Sequence, residues 1–508
     1  MDSLDYAYRR LVNILGPERV ARSLQERMAY SHDFASLPKF VHVQWKVTPD
    51  FVVIPKRTEE IVRLARFAEE SGLPLVPRGG GTGLYGGSVP NRGGVLVDLR
   101  AMDRIERIDR EARLMTVQAG ATWKSAYDRA WKEGLFLPVY PLGAPATTIG
   151  GWISSNGVGY GSYKYGTARD IVVDLEVVLP SGAIVHSGDD HLETGHGMAN
   201  SSGVFVGGEG TTGIVAAATL RLFPRPEEIR PLTYVVESIR AAQAAVPGIT
   251  ELAATPYHVG VVDENHISFL KAVRGEELPA KGLLNIVLEG PRDEIAEDQK
   301  EIDGFLTGEG ATKAPEATAR RLWDGRFDLF PARRLSGGLV IAETIVPAKQ
   351  YPRMLTRTDV LIRKLKLQVA VNSLLVDRNT VAVTPYFLMD DLSPLGPTAL
   401  GFVKKLGDLA FELGGHPMGL GLFMVFNLER MHRGAKGILT TVKDTLDPRR
   451  KMNPGKTVEV WTKFNLPFVD TIPPSLMARG LDLAAFVRSL KPGRDRFAQP
   501  AGGAGGYR

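Results

Sequence analysis

The chain has no cysteine. That excludes disulfides, cysteine-ligated iron–sulfur clusters, thiolate nucleophiles and any cysteinyl bond to a flavin. Long apolar runs are also missing; none approaches the roughly 18 residues of a membrane-spanning helix. The N-terminus, with Asp2, Asp5, Arg9 and Arg10, has no apolar signal core. A cytoplasmic chain is expected, with room left for peripheral attachment to the inner face of a membrane. Charge is not concentrated either. The net charge is +5, and Lys and Arg are scattered, so no nucleic-acid partner is expected. With 508 residues, 44% of them hydrophobic, the chain can hold two or three globular domains.

What it has in abundance is glycine, gathered in three clusters. The first is Pro77 to Ser88, in which six of twelve residues are glycine. Lacking a Cβ, glycine lets main-chain N–H groups approach a ligand closely, and successive amides in such a turn form an anion-binding nest. Gly81 to Gly86 spells G-x-G-x-x-G. A dinucleotide-binding fingerprint must open a helix. Here the next regular segment, Gly94 to Leu99, reads as a strand, so the loop links two strands. The bland alternative is a mobile surface loop, and the two further clusters argue against it.

Upstream, Thr48 to Pro55 reads as a strand. Thr58 is expected to cap the next helix, with Glu59 and Glu60 in its first turn. Ile61, Leu64, Ala65 and Ala68 form its buried stripe, and Gly72 ends it. Leu73 to Val76 is a strand that delivers the first loop. The second cluster runs from Pro141-Leu142-Gly143 through Thr147 to Gly151 and on to Gly161. Ile171 to Leu179 is a strand, and the third cluster is Gly207 to Ile214. Three such loops beside strands suit one long ligand held at several points, a diphosphate with two large ends. From about Arg230 glycine thins. Helical patterns at Ile239 to Ala245 and Arg353 to Lys366 alternate with strands such as Leu283 to Leu288.

Together, Arg78 to Gly87, Thr148-Ile149-Gly150-Gly151, Lys164-Tyr165-Gly166 and Gly208 to Ile214 resemble the FAD-binding domain of the vanillyl-alcohol oxidase and p-cresol methylhydroxylase superfamily. The branch resembled is that of the D-lactate dehydrogenases and the flavin-binding chain of glycolate oxidase. The resemblance runs from about Tyr30 to Lys456, where Asp447-Pro448 through Asn453-Pro454-Gly455-Lys456 matches a closing D-P-x-x-x-x-N-P-G-K signature. It implies an α+β fold: a two-part FAD-binding domain of the p-cresol methylhydroxylase type (1–228, rejoined at 436–460) and an α+β substrate or cap domain (229–435). Outside the resemblance, the residues themselves read as a tail (461–508) with a helical stretch at Ser475 to Leu490 and a Gly/Ala end expected to be disordered.

By the same resemblance the first loop (Pro77, Arg78, Gly79, Gly80, Gly81, Thr82, Gly83, Leu84, Gly86, Gly87, Ser88) would wrap the FAD pyrophosphate. The second (Pro141, Gly143, Thr147, Thr148, Ile149, Gly150, Gly151, Asn156, Gly157, Gly159, Tyr160, Gly161) and the third (Glu209, Gly210, Thr211, Gly213, Ile214) would line the ribityl and isoalloxazine regions. Asn453 would join them. Many relatives bind FAD covalently through a histidine just before the first glycines; Arg78 and Gly79 stand there, so non-covalent FAD is expected. Thr212 replaces a usual hydrophobic residue.

The catalytic expectations rest on two residues. Arg326, in Leu322-Trp323-Asp324-Gly325-Arg326-Phe327, matches a substrate-binding arginine of the 2-hydroxyacid branch, and its fork suits a carboxylate. The alternative is a surface salt bridge on a helix. His416, in Gly414-Gly415-His416-Pro417-Met418-Gly419, resembles the relatives' G-E-H-G-I-G segment and is the candidate general base. A satisfied loop histidine is the alternative. Of the nine histidines, His186, His191 and His196 read as surface residues. Metal-dependent relatives carry two histidines flanking D-G-N and the glutamate of G-E-H-G. Leu374, Val381 and Gly415 occupy those positions here and cannot ligate zinc, so no metal is expected.

The function expected is hydride transfer from a small 2-hydroxy acid, of the D-lactate or glycolate type, to flavin N5. An electron acceptor (quinone, cytochrome, partner protein or oxygen) would follow. Alternatives are an aryl- or sugar-alcohol oxidase of the same superfamily and a flavin-carrying electron-transfer subunit. A homodimer is compatible with the sequence.

Overall fold

The computed structural model describes residues 3–34, 45–143, 145–188, 200–275, 278, 280–327, 338–365, 368–389, 396–422, 424–432 and 434–459. His191, His196 and the tail from 460 lie outside them.

The first sheet has four strands in the order Val20–Ala21, Phe51–Val53, Val95–Asp98, Leu75–Arg78. The last three run parallel, because the helix Thr58–Ser71 carries the chain back between them. Ile61, Leu64, Ala65 and Ala68 are buried, as the spacing requires, and Gly72 closes the helix at φ 77°. Thr58 is not the cap. It is the first helical residue, and its hydroxyl donates to Glu176 at 2.6 Å. The cap position is Arg57, whose side chain makes no capping bond.

The second sheet is antiparallel, in the order Ile184–His186, Val172–Val178, Ile214–Arg221, Leu114–Gln118, Ile105–Asp109. Ile171 itself ends a short helix, Ala168–Ile171, so the strand begins one residue later than expected. Glycine loop one does link strand to strand. Loop two instead opens a helix, Ile149–Ser154, with the Thr148 hydroxyl as its cap.

The third sheet is antiparallel. Its main path runs Thr312–Lys313, Glu228–Val236, Gly282–Gly290, His258–Asp263, Ala370–Asp377, Thr380–Met389, Thr344–Pro347, His416–Pro417; Gly338–Ile341 also pairs with Thr380–Met389. Side chains alternate across it. Val259, Val261, Val371, Leu375, Val381 and Val383 pack into one core with the helices Ile239–Ile249, Arg292–Gly308, Tyr351–Leu365 and Gly396–Glu412. The opposite face carries Leu374, Val376, Ala382 and Tyr386 and meets the glycine loops, through Leu84 at one end and Leu142 and Val158 at the other.

The helix Ala435–Leu446 then returns the chain to the first sheet. Leu75 N donates to Lys451 O, and Asn453 N to Leu75 O, so the closing signature lies along the strand that delivers loop one.

Candidate active site

Loops one and two pack so closely that Gly79 and Gly80 have no room for a side chain. A Cβ on Gly79 would stand 2.0 Å from Thr148 Oγ1, and one on Gly80 2.0 Å from Ala146 O. Thr82 and Thr147 join hydroxyl to hydroxyl at 3.1 Å. Gly83 is different. The nearest atom to its virtual Cβ is Asp33 Oδ2 at 3.6 Å, and at Gly87 it is Glu209 Oε2 at 3.9 Å. Gly79 and Gly80 are therefore closed against protein, while Gly83 and Gly87 meet only ordinary van der Waals contacts. Arg78 turns aside, with Nη1 donating to His32 O and the guanidinium over the Tyr30 ring.

The closing signature lashes loops one and three. Asn453 Nδ2 donates to Gly87 O at 2.9 Å and to Glu209 O at 2.7 Å, so both its amide hydrogens are committed to loop carbonyls. Lys456 Nζ donates to Val89 O and Asn91 Oδ1. Lys443, paired with Asp447, donates to Thr211 O. Thr212 Oγ1 donates to Val204 O. Gly210 packs on Pro77, and Gly213 leads into the strand that begins at Ile214. Glu209 accepts from Gly421 N through Oε1, while Oε2 is buried without a hydrogen-bond partner among the described residues. Burial pushes this carboxyl upward.

In loop two, Pro141 and Gly159 pair in a two-stranded ribbon with Tyr140 and Tyr160, and Gly143 follows it. Gly150 abuts Ala119, Gly151 N bonds the Thr148 hydroxyl, and Gly157 abuts Trp152. Asn156 Oδ1 accepts from Thr167 Oγ1 and Arg169 N. Gly161 touches Tyr257. Lys164 and Tyr165 both hold Glu289 of the third sheet, each at 2.7 Å.

Beyond this ribbon lies Arg326, just past the helix Glu316–Asp324. It makes no ion pair among the described residues. Its guanidinium stacks on Trp323 at 4.0 Å and on Phe327 at 4.6 Å, with Tyr140 and Tyr160 at the rim. Nη1 donates to Trp323 O, and Nε is buried with no hydrogen-bond partner among the described residues. The Tyr160 hydroxyl donates to Arg326 O at 2.8 Å. Arg326 lines a small cleft of about 80 Å³, open at its mouth, together with Leu142, Tyr160, His258, His266, Asn372 and Leu374. Burial drives His258 down to about 3 and His266 to about 4, so both are neutral. His266 Nδ1 bonds the Tyr386 hydroxyl at 2.7 Å.

His416 pairs with Ile345 across the sheet edge, half-buried, with Nδ1 against Pro417 O at 2.7 Å. Its ring lies 6.3 Å from that of His432. Two residues on, Met418 packs with Leu142, Val158, Leu374 and Val376. His416 does not line the Arg326 cleft; Leu142 and Leu374 connect the two. Met418 N donates to Glu343 O, and Tyr85 of loop one exchanges hydrogen bonds with the Glu343 main chain. The Glu343 carboxyl has no ion-pair partner among the described residues, and burial raises it to about 7. Thr344 pairs with Val383, which brings Glu343 beside Thr384, and Thr384 pairs with Asn372.

Leu374, Val381 and Gly415, which the resemblance matches to metal-ligand positions, do not converge here. Leu374 faces the glycine loops, Val381 faces the helices, and a Cβ on Gly415 would stand 1.9 Å from Ile345 O. Among the described residues no cluster of three His, Cys, Asp or Glu could hold an ion. His186 is exposed and bonds Asp174 at 2.8 Å.

Against known proteins, residues 49–188 match the FAD binding domain family, and residues 225–457 match the C-terminal domain of FAD linked oxidases. Glycolate oxidase subunit GlcD of Bacillus subtilis is 30% identical over 88% of this chain and 95% of its own. The chain belongs to the FAD-linked oxidases. D-lactate dehydrogenase of Archaeoglobus fulgidus is 30% identical over 81% of this chain and 92% of its own. This FAD-linked oxidase also shares its fold with p-cresol methylhydroxylase solved with substrate bound (TM-score 0.75, 16% identity, covering 92% and 98% of the two chains) and with alkyldihydroxyacetonephosphate synthase (0.72, 21%, 88% and 84%).

FAD is therefore the cofactor, and the residues present fit it. Loop one is less crowded at Gly83 and Gly87, while the tight contacts of Gly79 and Gly80 fix it. Within this FAD-linked oxidase, sequence reasoning missed His258, His266, Asn372 and Glu343. A single glutamate in the apolar run Leu339 to Val346 and an asparagine in Ala370 to Val376 were the available signals.

Proposed function

We propose that the protein is an FAD-dependent dehydrogenase or oxidase that removes a hydride from a small 2-hydroxy acid of the D-lactate or glycolate type, without a metal. The observation that carries this reading is Arg326, whose buried Nε lacks a hydrogen-bond partner among the described residues and which lines a cleft beside loop two. A buried guanidinium edge with an open donor favours a carboxylate, which accepts from two N–H groups at once. In this reading residues 1–228 and 436–460 hold FAD and residues 229–435 hold the substrate.

When bound, FAD supplies the hydride acceptor, its N5. Arg326 holds the carboxylate, and His416 takes the hydroxyl proton on Nε2, because Nδ1 already faces Pro417 O. The apolar cluster of Leu142, Leu374 and Met418 keeps water from the space between them. Names among the relatives support this reading: one is a glycolate oxidase subunit, another a D-lactate dehydrogenase.

The same apolar cluster favours a second reading, an aryl-alcohol oxidase. Anaerobic mixing with a panel of 2-hydroxy acids, aryl alcohols and sugar alcohols separates the two. Flavin bleaching by the acids alone supports the proposal. Bleaching by neutral alcohols alone replaces it with the second reading, and no bleaching at all points to an electron-transfer subunit fed by a partner.

A further inference from the structure

Glu343 is the single charged residue between Leu339 and Val346. Alternation along the chain fixes where it points. Val340, Ala342 and Val346 pack with the helices behind the third sheet, while Leu339 and Ile341 meet Leu84 of loop one. Glu343 falls in the second set, so it faces the glycine loops. Loop one holds it there. The Tyr85 hydroxyl donates to Glu343 O at 3.1 Å and accepts from Glu343 N at 2.9 Å. On the other flank Met418 N donates to Glu343 O at 3.1 Å. The titratable groups on the elements packed around it are Tyr85, Glu209 of loop three, which reaches Gly421 beside Tyr85, His416 on the edge strand, and Tyr386, bonded to His266. None forms an ion pair with Glu343 among the described residues. An ionisable side chain without a counter-ion costs stability where glutamine would pack as well, which points to proton exchange. Burial raises this carboxyl to about 7, and the side chain is only half-buried, so solvent protons reach it.

We propose that Glu343 takes up a proton from water when the bound FAD is reduced and releases it when FAD is reoxidised. Hydride transfer brings two electrons and one proton to the flavin, which adds one negative charge beside loop one. A carboxylate facing that charge is disfavoured, and the neutral acid is favoured. The proton on Glu343 comes from solvent and returns to it, while the proton of the substrate hydroxyl goes to His416. The inference rests on FAD lying against loop one and is independent of the 2-hydroxy acid reading.

The test is equilibrium reduction of the holoenzyme by dithionite with reference dyes, from about pH 5 to about pH 9, in wild type and Glu343→Gln. No 2-hydroxy acid is present, so the outcome does not depend on the substrate. The two midpoint potentials should differ least near pH 5, where Glu343 is neutral in both flavin states. Near about pH 8 the variant should lie higher, because the wild type then holds a carboxylate that opposes reduction. A tenfold change in the proton affinity of Glu343 between the two flavin states converts to about 30 mV for a two-electron couple. A difference that does not vary with pH, or a variant potential that falls below wild type as pH rises, overturns the inference. Should Glu343→Gln fail to hold FAD, difference infrared spectroscopy of photoreduced wild type at about pH 8 decides. A protonated-carboxyl band that grows on reduction and shifts in deuterium oxide supports the inference, and its absence overturns it.

Discussion

The hydroxyl of Tyr160 donates to the main-chain carbonyl of Arg326 at 2.8 Å. One residue belongs to a glycine loop on the FAD side and the other to the cleft beneath the third sheet, so a single bond sets the arginine against the cofactor's domain. A neutral hydrogen bond of this kind contributes about 1 kcal/mol. Tyr160→Phe should therefore keep its flavin and raise KM for a carboxylate substrate roughly fivefold. An unchanged KM in a fully flavinated variant would show that Arg326 is positioned by its aromatic neighbours alone.

The two sides of loop one should respond differently to substitution. Gly83→Leu starts from an ordinary contact with Asp33 Oδ2 at 3.6 Å and should give folded, colourless protein. Gly79→Ala meets Thr148 Oγ1 at 2.0 Å and should lower the melting temperature first. In the wild type, acid or heat should release free FAD. Colour that stays with the precipitate contradicts non-covalent binding.

Much of this arrangement was legible in the chain. The glycine clusters marked the three loops, where close approach at positions such as Gly79, Gly80 and Gly150 leaves no room for a Cβ, and Gly94 to Leu99 showed that the first loop ends in a strand. What was hidden depends on distant partners. Thr58 looks like a cap, yet its hydroxyl bonds Glu176, 118 positions away. The signature asparagine, Asn453, reads as a cofactor contact, while its amide bridges Gly87 and Glu209. Val381 and Leu374 look equivalent along the chain, and only the sheet register, which pairs Leu374 with Ala382 and Leu375 with Val381, puts them on opposite faces.

The expectation about metals rests on the residue types at these positions, since Leu374, Val381 and Gly415 carry no ligating side chain. Chelator treatment should leave the rate of flavin reduction unchanged, and elemental analysis should find zinc or manganese well below one per chain. A tightly held stoichiometric ion would mean that ligands other than positions 374, 381 and 415 form a site.

Glu343 gives a pH dependence of known sign. Its carboxyl titrates near 7 in the folded chain and near 4.5 when unfolded. Between those values the folded state holds a proton that the unfolded state has released, so stability falls as pH rises through the window. Glu343→Gln removes that contribution. The urea midpoint of the variant relative to wild type should be higher at about pH 8 than at about pH 5. A constant difference would show that Glu343 ionises freely in the folded protein.

Arg326 and His416 should act on one substrate at one flavin, and this is the claim on which the proposed chemistry depends. Single-turnover anaerobic reduction measures it most directly, with FAD content and melting temperature checked in parallel. His416→Ala should keep FAD and reduce it at least ~100-fold more slowly at saturating 2-hydroxy acid, because a general base contributes about 10²–10⁴. Arg326→Ala should instead weaken apparent affinity, more for carboxylates than for neutral alcohols. Normal reduction by His416→Ala, with Arg326→Ala indifferent to the carboxylate, would contradict the claim.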